Sequence, residues 1–178
     1  MNIVALDLGI HTGFAHNDGF QFDSGTWVFK GKADRDLDYR VSDFYGKLYR
    51  LLEHRLGSPI YDWVVFEDVQ FSTYTYQTQL WASFRAAMWL ACYHRGLRCK
   101  GVPVGTLKKF ATGHGGATKE MMAAWAVKRF APRLYRGSDG TVRSQGTNFK
   151  VDDNEIDAIH LHDLATHNEL YLLNHKLP

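Results

Sequence analysis

The sequence predicts an α/β fold: a mixed five-stranded sheet, with antiparallel hairpin strands first and parallel strands after, flanked by helices. Three observations carry the prediction. The chain opens on a short apolar run closed by an acid and glycines, "IVALDLG". A turn signal, Asn17-Asp18-Gly19, then joins two strand-length segments. After that, apolar runs of strand length alternate with amphipathic segments of helix length.

The elements follow in order. Residues 2–8 read as a buried strand, and "GFAHNDGFQFDSGTWVFK" as two more strands around the turn. The segment 37–56 is helical, with Leu37, Val41, Phe44, Leu48, Leu51 and Leu52 near one face. "YDWVVFED" is a short apolar strand ending in acids, and "YQTQLWASFRAAMWLACYHRG" a helix closed by Gly96. "RCKGVPVG" supplies the fifth strand. A glycine-rich connection leads to the helix 118–130, with Thr118 as its N-cap and a stop near Pro132. Residues 133–150 contain three glycines and four bases and read as a mobile loop. The last helix begins at "DDNEIDAIHL".

At 178 residues, 45% hydrophobic and 22% charged, the chain suits one domain, 1–178, with a full core. No apolar run approaches the roughly 20 residues that span a bilayer, so no membrane partner is expected. No basic leader precedes the first apolar run, which points away from a secretory signal and toward a cytoplasmic location. Cys92 and Cys99 are the two cysteines and read as small buried thiols in a reducing compartment. Net charge is only +2, but it is unevenly placed. Arg98 to Lys150 holds 11 Lys/Arg against Glu120 and Asp139, a local +9, and the remainder carries −7. A basic surface for a polyanion beside an acidic centre for cations would look like this, as would two solvated faces that merely differ.

The acids gather at element ends. Asp7 follows "IVAL", and Glu67 with Asp68 follows "WVVF". In an open α/β sheet, chemistry collects beyond the carboxyl ends of the parallel strands. If those two strands are neighbours, Asp7 and Glu67 project side by side. Asp153 and Asp157, four apart, share a face of the last helix; Asn154 and Asp157, three apart, nearly do. Four such acids cannot share a site as bare charges, because repulsion would raise their pKa values. Divalent cations resolve the conflict, and an all-oxygen donor set suits Mg²⁺ or Mn²⁺ rather than zinc. Two such ions, roughly 3.5–4 Å apart, can activate water and stabilise the leaving oxygen of a phosphodiester. Glu67 or Asp153 taken alone would equally suit an element end facing solvent. His160, three residues after Asp157, could flank such a site or sit in the core.

The basic segment "GVPVGTLKKFATGHGGATKEMM" carries Lys108, Lys109 and, in the first turn of a helix, Lys119. A cation there opposes the macrodipole, which hints at a purpose such as contacting phosphate. Arg133, Arg136 and Arg143 extend the basic surface toward DNA. Phe71 and Tyr74, at a strand-to-helix junction, could stack on unpaired bases or cap the core.

Four stretches, "ALDLGIHTGFA", "VVFEDVQF", "TLKKFATGHGGATKEMM" and "DDNEIDAIHL", together resemble the RuvC-like Holliday junction resolvases of the ribonuclease H-like superfamily, and most of all their bacteriophage forms. The resemblance implies a homodimeric, metal-dependent endonuclease that nicks two strands of branched DNA. It makes Asp7, Glu67, Asp157 and an acid shortly before Asp157 ligands for two Mg²⁺ ions (Mn²⁺ substituting), with Lys119 near the scissile phosphate; Asp153, on the same helix face as Asp157, is the favoured fourth ligand. It makes Phe71 or a nearby aromatic the residue inserted at the junction centre. Bacterial members place their last two ligands three apart, which here pairs Asn154 with Asp157. Asn154 therefore stands as an alternative ligand, or as a support behind the ligands, and the choice within "DDNE" stays open. The glycines after Asp7 are expected to make room for a DNA strand. Two other classes compete: a branched-DNA-binding protein without catalysis, and an actin- or sugar-kinase-like ATPase, whose phosphate loop "DLGIHTG" resembles.

Overall fold

In the computed structural model, which describes residues 1–31, 36–55, 58–69, 75–145 and 150–168, the centre of the sheet is β1 (Ile3–Asp7). On one side it pairs antiparallel with β2 (His11–Asn17), which pairs antiparallel with β3 (Phe22–Val28). On the other it pairs parallel with β6 (Trp63–Asp68), which pairs parallel with β7 (Arg98–Pro103). The order β3-β2-β1-β6-β7 is the mixed five-stranded sheet that the sequence predicts.

Helices cover both faces, which is why β1 and β6 are continuous apolar runs rather than alternating ones. Period-two alternation divides their side chains between two cores. Val4, Leu6, Val64 and Phe66 pack beneath α1 (Leu37–Leu51) and α2 (Thr75–Arg95). There Phe44 stacks on Phe84 with ring centroids 4.4 Å apart, and Phe29 meets Phe84 edge-on. Ile3, Ala5, Trp63 and Val65 face α3 (Val104–Thr112), α4 (Lys119–Phe130) and α5 (Asp153–His167). By the same alternation Asp7 and Glu67 belong to the α5 side, whereas Asp68 turns to the other and pairs with Arg85 of α2 at 3.0 Å.

Three local expectations are corrected. The first helix ends at Leu51, because a two-stranded hairpin, β4 (His54–Arg55) and β5 (Ser58–Pro59), follows it. The connection holding Lys108 and Lys109 is not all loop. Its first nine residues form α3, whose Leu107 and Ala111 are buried, and only the glycines from Gly113 onward are irregular. Residues 133–150 contain a hairpin, β8 (Leu134–Arg136) and β9 (Val142–Ser144), anchored by buried Leu134 and Val142. Glycine and charge count misled there because two apolar residues suffice to dock so short a hairpin.

Thr118 caps α4 as expected, accepting from the Met121 amide, and Gly96 ends α2 at φ +66°. Cys92 is buried and Cys99 half-buried, both as free thiols. Among the described residues no helix is long and apolar enough to cross a membrane.

Candidate active site

Register brings the first two acids together. Leu6 lies beside Phe66 on the parallel neighbour, so the next residues, Asp7 and Glu67, leave the sheet side by side and hydrogen-bond through their side chains. Asp7 is pushed well above the usual carboxylate range, by burial first and then by the charges of Glu67 and Asp157. Glu67 is raised by burial, with its hydrogen bond to Asp7 and the Lys108 charge pulling it back. Asp157, from the second turn of α5, is pushed up to about 7, again by burial first and then by Glu67. Lys108 and Lys119 oppose that rise, and Asp153 adds to it. Three carboxylates from three segments thus share one electrostatic environment that disfavours their ionised forms.

Helix α5 reaches β1 by close backbone approach. Gly13 is the register partner of Asp7, and a Cβ on it would lie 1.9 Å from the Asn154 carbonyl oxygen. No side chain fits there, so only glycine allows the start of α5 to rest on β2. The space at Gly13, expected to admit DNA, is filled by the helix itself. Two hydroxyls of β3 complete the mooring. Thr26 donates to Asp152 at 2.7 Å, and Ser24 donates to Glu155 at 2.8 Å. Asp152 also caps the helix by accepting from the Glu155 amide at 2.9 Å.

These bonds sort the acids of "DDNE". Asp152 and Glu155 are held by β3, and the Asn154 backbone packs on Gly13. Asp153 remains at the rim, 49% exposed, with its carboxylate 3.1 Å from the Lys119 ammonium. That contact raises the Lys119 pKa, chiefly through the Asp153 hydrogen bond.

The basic residues divide. Lys108 and Lys119 both act on the carboxylates, and Lys109 on the same helix is exposed. Arg136 shares a cavity wall with Lys119 and Asp153. Arg143 is ion-paired to Asp139 at 2.7 Å within the hairpin. Arg133 lies over the Phe22 ring, 4.4 Å from its centroid, at the end of the sheet opposite Asp7, because Phe22 pairs with Asn17. Phe71 and Tyr74 fall outside the described residues. Two histidines of α5, His160 and His162, are buried in the core. His160 is buried and its Nε2 contacts the Met122 carbonyl at 3.1 Å, which fixes that nitrogen as donor. His162 contacts Asn17 Oδ1 at 2.8 Å, and burial pushes it down to about 4. Sequence reasoning missed Ser24, Thr26 and the close approach at Gly13. A small-residue site facing a helix start leaves no local signature; only the pairing of Gly13 with Asp7 reveals it.

The donor chemistry fits a hard divalent cation: oxygens only, on side chains whose ionised forms lack enough positive charge nearby. Among the described residues, however, no group of three or more His, Cys, Asp or Glu side chains is placed as a bound metal ion would require. Within the cluster, Asp7 and Glu67 are joined by a side-chain hydrogen bond, and Asp157 acts on Asp7 through its charge.

No protein-family model matches the chain, and no curated protein matches it. Solved structures do. Thermus thermophilus RuvC is 17% identical with a TM-score of 0.62, over 94% of this chain and 96% of that one. T. thermophilus RuvC in complex with a Holliday junction substrate is 17% identical with a TM-score of 0.69, over 98% and 96%. The yeast mitochondrial Holliday junction resolvase Ydc2 is 10% identical with a TM-score of 0.57, over 97% and 83%. The chain has the ribonuclease H-like fold of the RuvC-type Holliday junction resolvases.

Proposed function

We propose that this chain, as one domain over 1–178, is a divalent-metal-dependent endonuclease that resolves Holliday junctions and related branched DNA by paired nicks. The observation that carries the reading is the convergence of Asp7, Glu67 and Asp157 on a fold shared with a junction-bound RuvC. A scaffold that only bound DNA would gain nothing from buried, mutually repelling carboxylates facing a polyanion.

Asp7, Glu67 and Asp157 are the residues that would hold Mg²⁺, with Asp153 the fourth acid of the site, since Asp152 and Glu155 are engaged by β3. Bound there, Mg²⁺ or Mn²⁺ supplies the charge that acidifies water and stabilises the leaving oxygen of a phosphodiester. Lys119, its side chain 73% exposed, contributes an ammonium that exchanges its Asp153 partner for a phosphate oxygen near the scissile bond. Lys108, whose charge acts on both Glu67 and Asp157, and exposed Lys109 hold the DNA backbone. Paired nicking needs two sites. The exposed α2 residues Trp89, Leu90 and Tyr93 are an apolar surface suited to a homodimer that presents both.

The test is a labelled synthetic four-way junction, compared with three-way and linear DNA in Mg²⁺ and in chelator. Symmetric, metal-dependent nicks in the four-way junction are expected. Binding without any nicking would leave a junction-binding protein and overturn the catalytic reading.

A further inference from the structure

A cavity of about 360 Å³ lies between the β1–β2 turn and the first turns of α2. Gly9 and Ile10 line it from the turn, and Tyr76, Gln77, Leu80 and Trp81 line it from the helix. We infer that this cavity takes one unstacked nucleobase of the DNA strand lying over the carboxylates, and so reads a base beside the cut. The inference rests on the nucleic-acid reading above but needs no cleavage.

The sheet sets the position. Asp7 belongs to the α5 side of β1 with Asp157, whereas Leu8 and Leu80 are buried in the core on the α2 side. Gly9 comes two residues after Asp7, so chain geometry keeps it within about 7 Å. The end of β1 is therefore a divide, with the acids on one face and the cavity on the other. A strand with a phosphate on the acids passes within about one nucleotide of the cavity.

The lining selects the kind of group. None of its six residues is charged, so nothing in it neutralises a phosphate. Tyr76 and Trp81 supply aromatic rings, and Ile10 and Leu80 supply aliphatic surface, which together suit the faces of a flat ring. Gln77 is exposed, and its amide offers both donors and an acceptor for the edge of a base. A nucleobase is flat, uncharged and polar at its edge, and it is the part of the strand that matches. The volume is at the small end for ligand pockets. Extrusion costs least for a base that is already unpaired, which a branch point supplies.

The walls are also placed in advance. Arg40, buried at the start of α1, donates to the Tyr76 hydroxyl and, at 2.8 Å, to the Gly31 carbonyl. The Thr12 hydroxyl donates to the Gly9 carbonyl at 2.7 Å and accepts from the Gly9 amide at 3.2 Å. The Ile10 carbonyl accepts from the Phe29 amide at 2.9 Å, so a fixed backbone presents the exposed Ile10 side chain. Such rigidity lowers the ordering cost of taking up a base.

The test measures affinity in chelator, where nothing is cut, for four-way junctions carrying one abasic site stepped along the strand. Every phosphate stays in place, so only base contacts are lost. In the parent protein, one position beside the scissile linkage is expected to lose about tenfold in affinity. In Trp81→Ala that position should cost no more than its neighbours, while the other positions keep their parental effects. Gln77→Ala, at an exposed side chain, should flatten the dependence of affinity on which of the four bases stands there, so the result survives if Trp81→Ala folds poorly. A penalty that persists unchanged in both variants puts the base elsewhere and overturns the subsite. So does the lack of any position-specific penalty in the parent, and either result leaves the nuclease reading standing. Failure of the parent to nick any junction in Mg²⁺ would overturn the nuclease reading and leave the affinity result intact. Failure to bind branched DNA at all would overturn both.

Discussion

Replacing Asp157 with asparagine should make the metal-free protein more stable at neutral pH while abolishing cleavage. Asp157 is pushed from its ordinary 3.8 up to about 7, mainly by burial and then by Glu67. Because the folded value lies above the unfolded one, the native state holds a proton that the unfolded chain releases between those two pH values. Stability from this group is therefore fully present below about pH 4 and is lost as pH rises to about 7. Moving a carboxyl across that window corresponds to about 4 kcal/mol against the ionised fold. Asparagine cannot ionise, so Asp157→Asn avoids the loss. It also gives up a small favourable interaction of an acid near a helix start, about 0.5 kcal/mol, so the net gain should be about 3–4 kcal/mol at pH 8.

The assay is urea unfolding in chelator for parent and variant at pH 8, 6 and 4.5. The difference should be largest at pH 8 and shrink steadily toward pH 4.5, where the parent's Asp157 is itself protonated. Groups distant from the site contribute to both proteins and cancel in the comparison, whereas Asp7, freed of the Asp157 charge, titrates lower in the variant and adds to its gain. Adding Mg²⁺ should raise parent stability, by about 2.7 kcal/mol once Mg²⁺ reaches a hundred times its dissociation constant, and the variant much less. An Asp157→Asn protein no more stable than the parent at pH 8, or a gain that ignores pH, would refute the picture of a carboxylate held in an environment that rejects its charge.

Gly13→Ala should lose cleavage and about 1–3 kcal/mol of stability in thermal or urea unfolding, because its Cβ meets the Asn154 carbonyl. Thr26→Val removes a 2.7 Å bond to Asp152 and should cost about 1 kcal/mol in the same measurement, with a reduced cleavage rate as the start of α5 loosens. Lys119→Ala should reduce single-turnover cleavage much more than junction affinity; equal losses would make it an ordinary backbone contact. His162, with its pKa lowered from 6.5 to about 4 by burial, stabilises the fold fully above pH 6.5 and loses that contribution as pH falls to about 4. His162→Gln should accordingly flatten the stability loss between those pH values in parallel urea titrations.

The architecture was legible because its determinants are local. "IVAL" and "WVVF" are uninterrupted apolar runs, and such strands need helices on both faces. The Asn17-Asp18-Gly19 turn announced the antiparallel pair, and helix periodicity announced α1 and α4. Two small hairpins and α3 were not legible for a physical reason. The β8–β9 hairpin and α3 each rest on two buried apolar residues, Leu134 and Val142 in the first and Leu107 and Ala111 in the second. Their surroundings are rich in glycine and lysine, so the average composition of each segment reads as loop even though the few docked residues decide its structure.

At the site, the acids were visible and the choice among them was not. Helix periodicity places Asp153 and Asp157 on one face but cannot exclude Asn154, which lies only one residue away. Groups far away in sequence narrow the choice. Ser24 and Thr26 take Glu155 and Asp152, and Gly13 takes the Asn154 backbone, each through a contact spanning more than a hundred residues. Asp153 is turned toward Lys119, and Asp157 toward Glu67 and Asp7. The same three moorings hold α5 in place while its acids repel those of the sheet. If they did not, the helix could relieve the repulsion by sliding away from β1, and the elevated pKa of Asp157 would relax toward its ordinary value. Combining Thr26→Val with Ser24→Ala tests this coupling. The pH at which Asp157 titrates, followed by NMR of its carboxyl carbon, should fall from about 7 in the double variant. An unchanged titration would show that packing of Ile156, Ile159 and Leu161 alone is enough to hold the acids together.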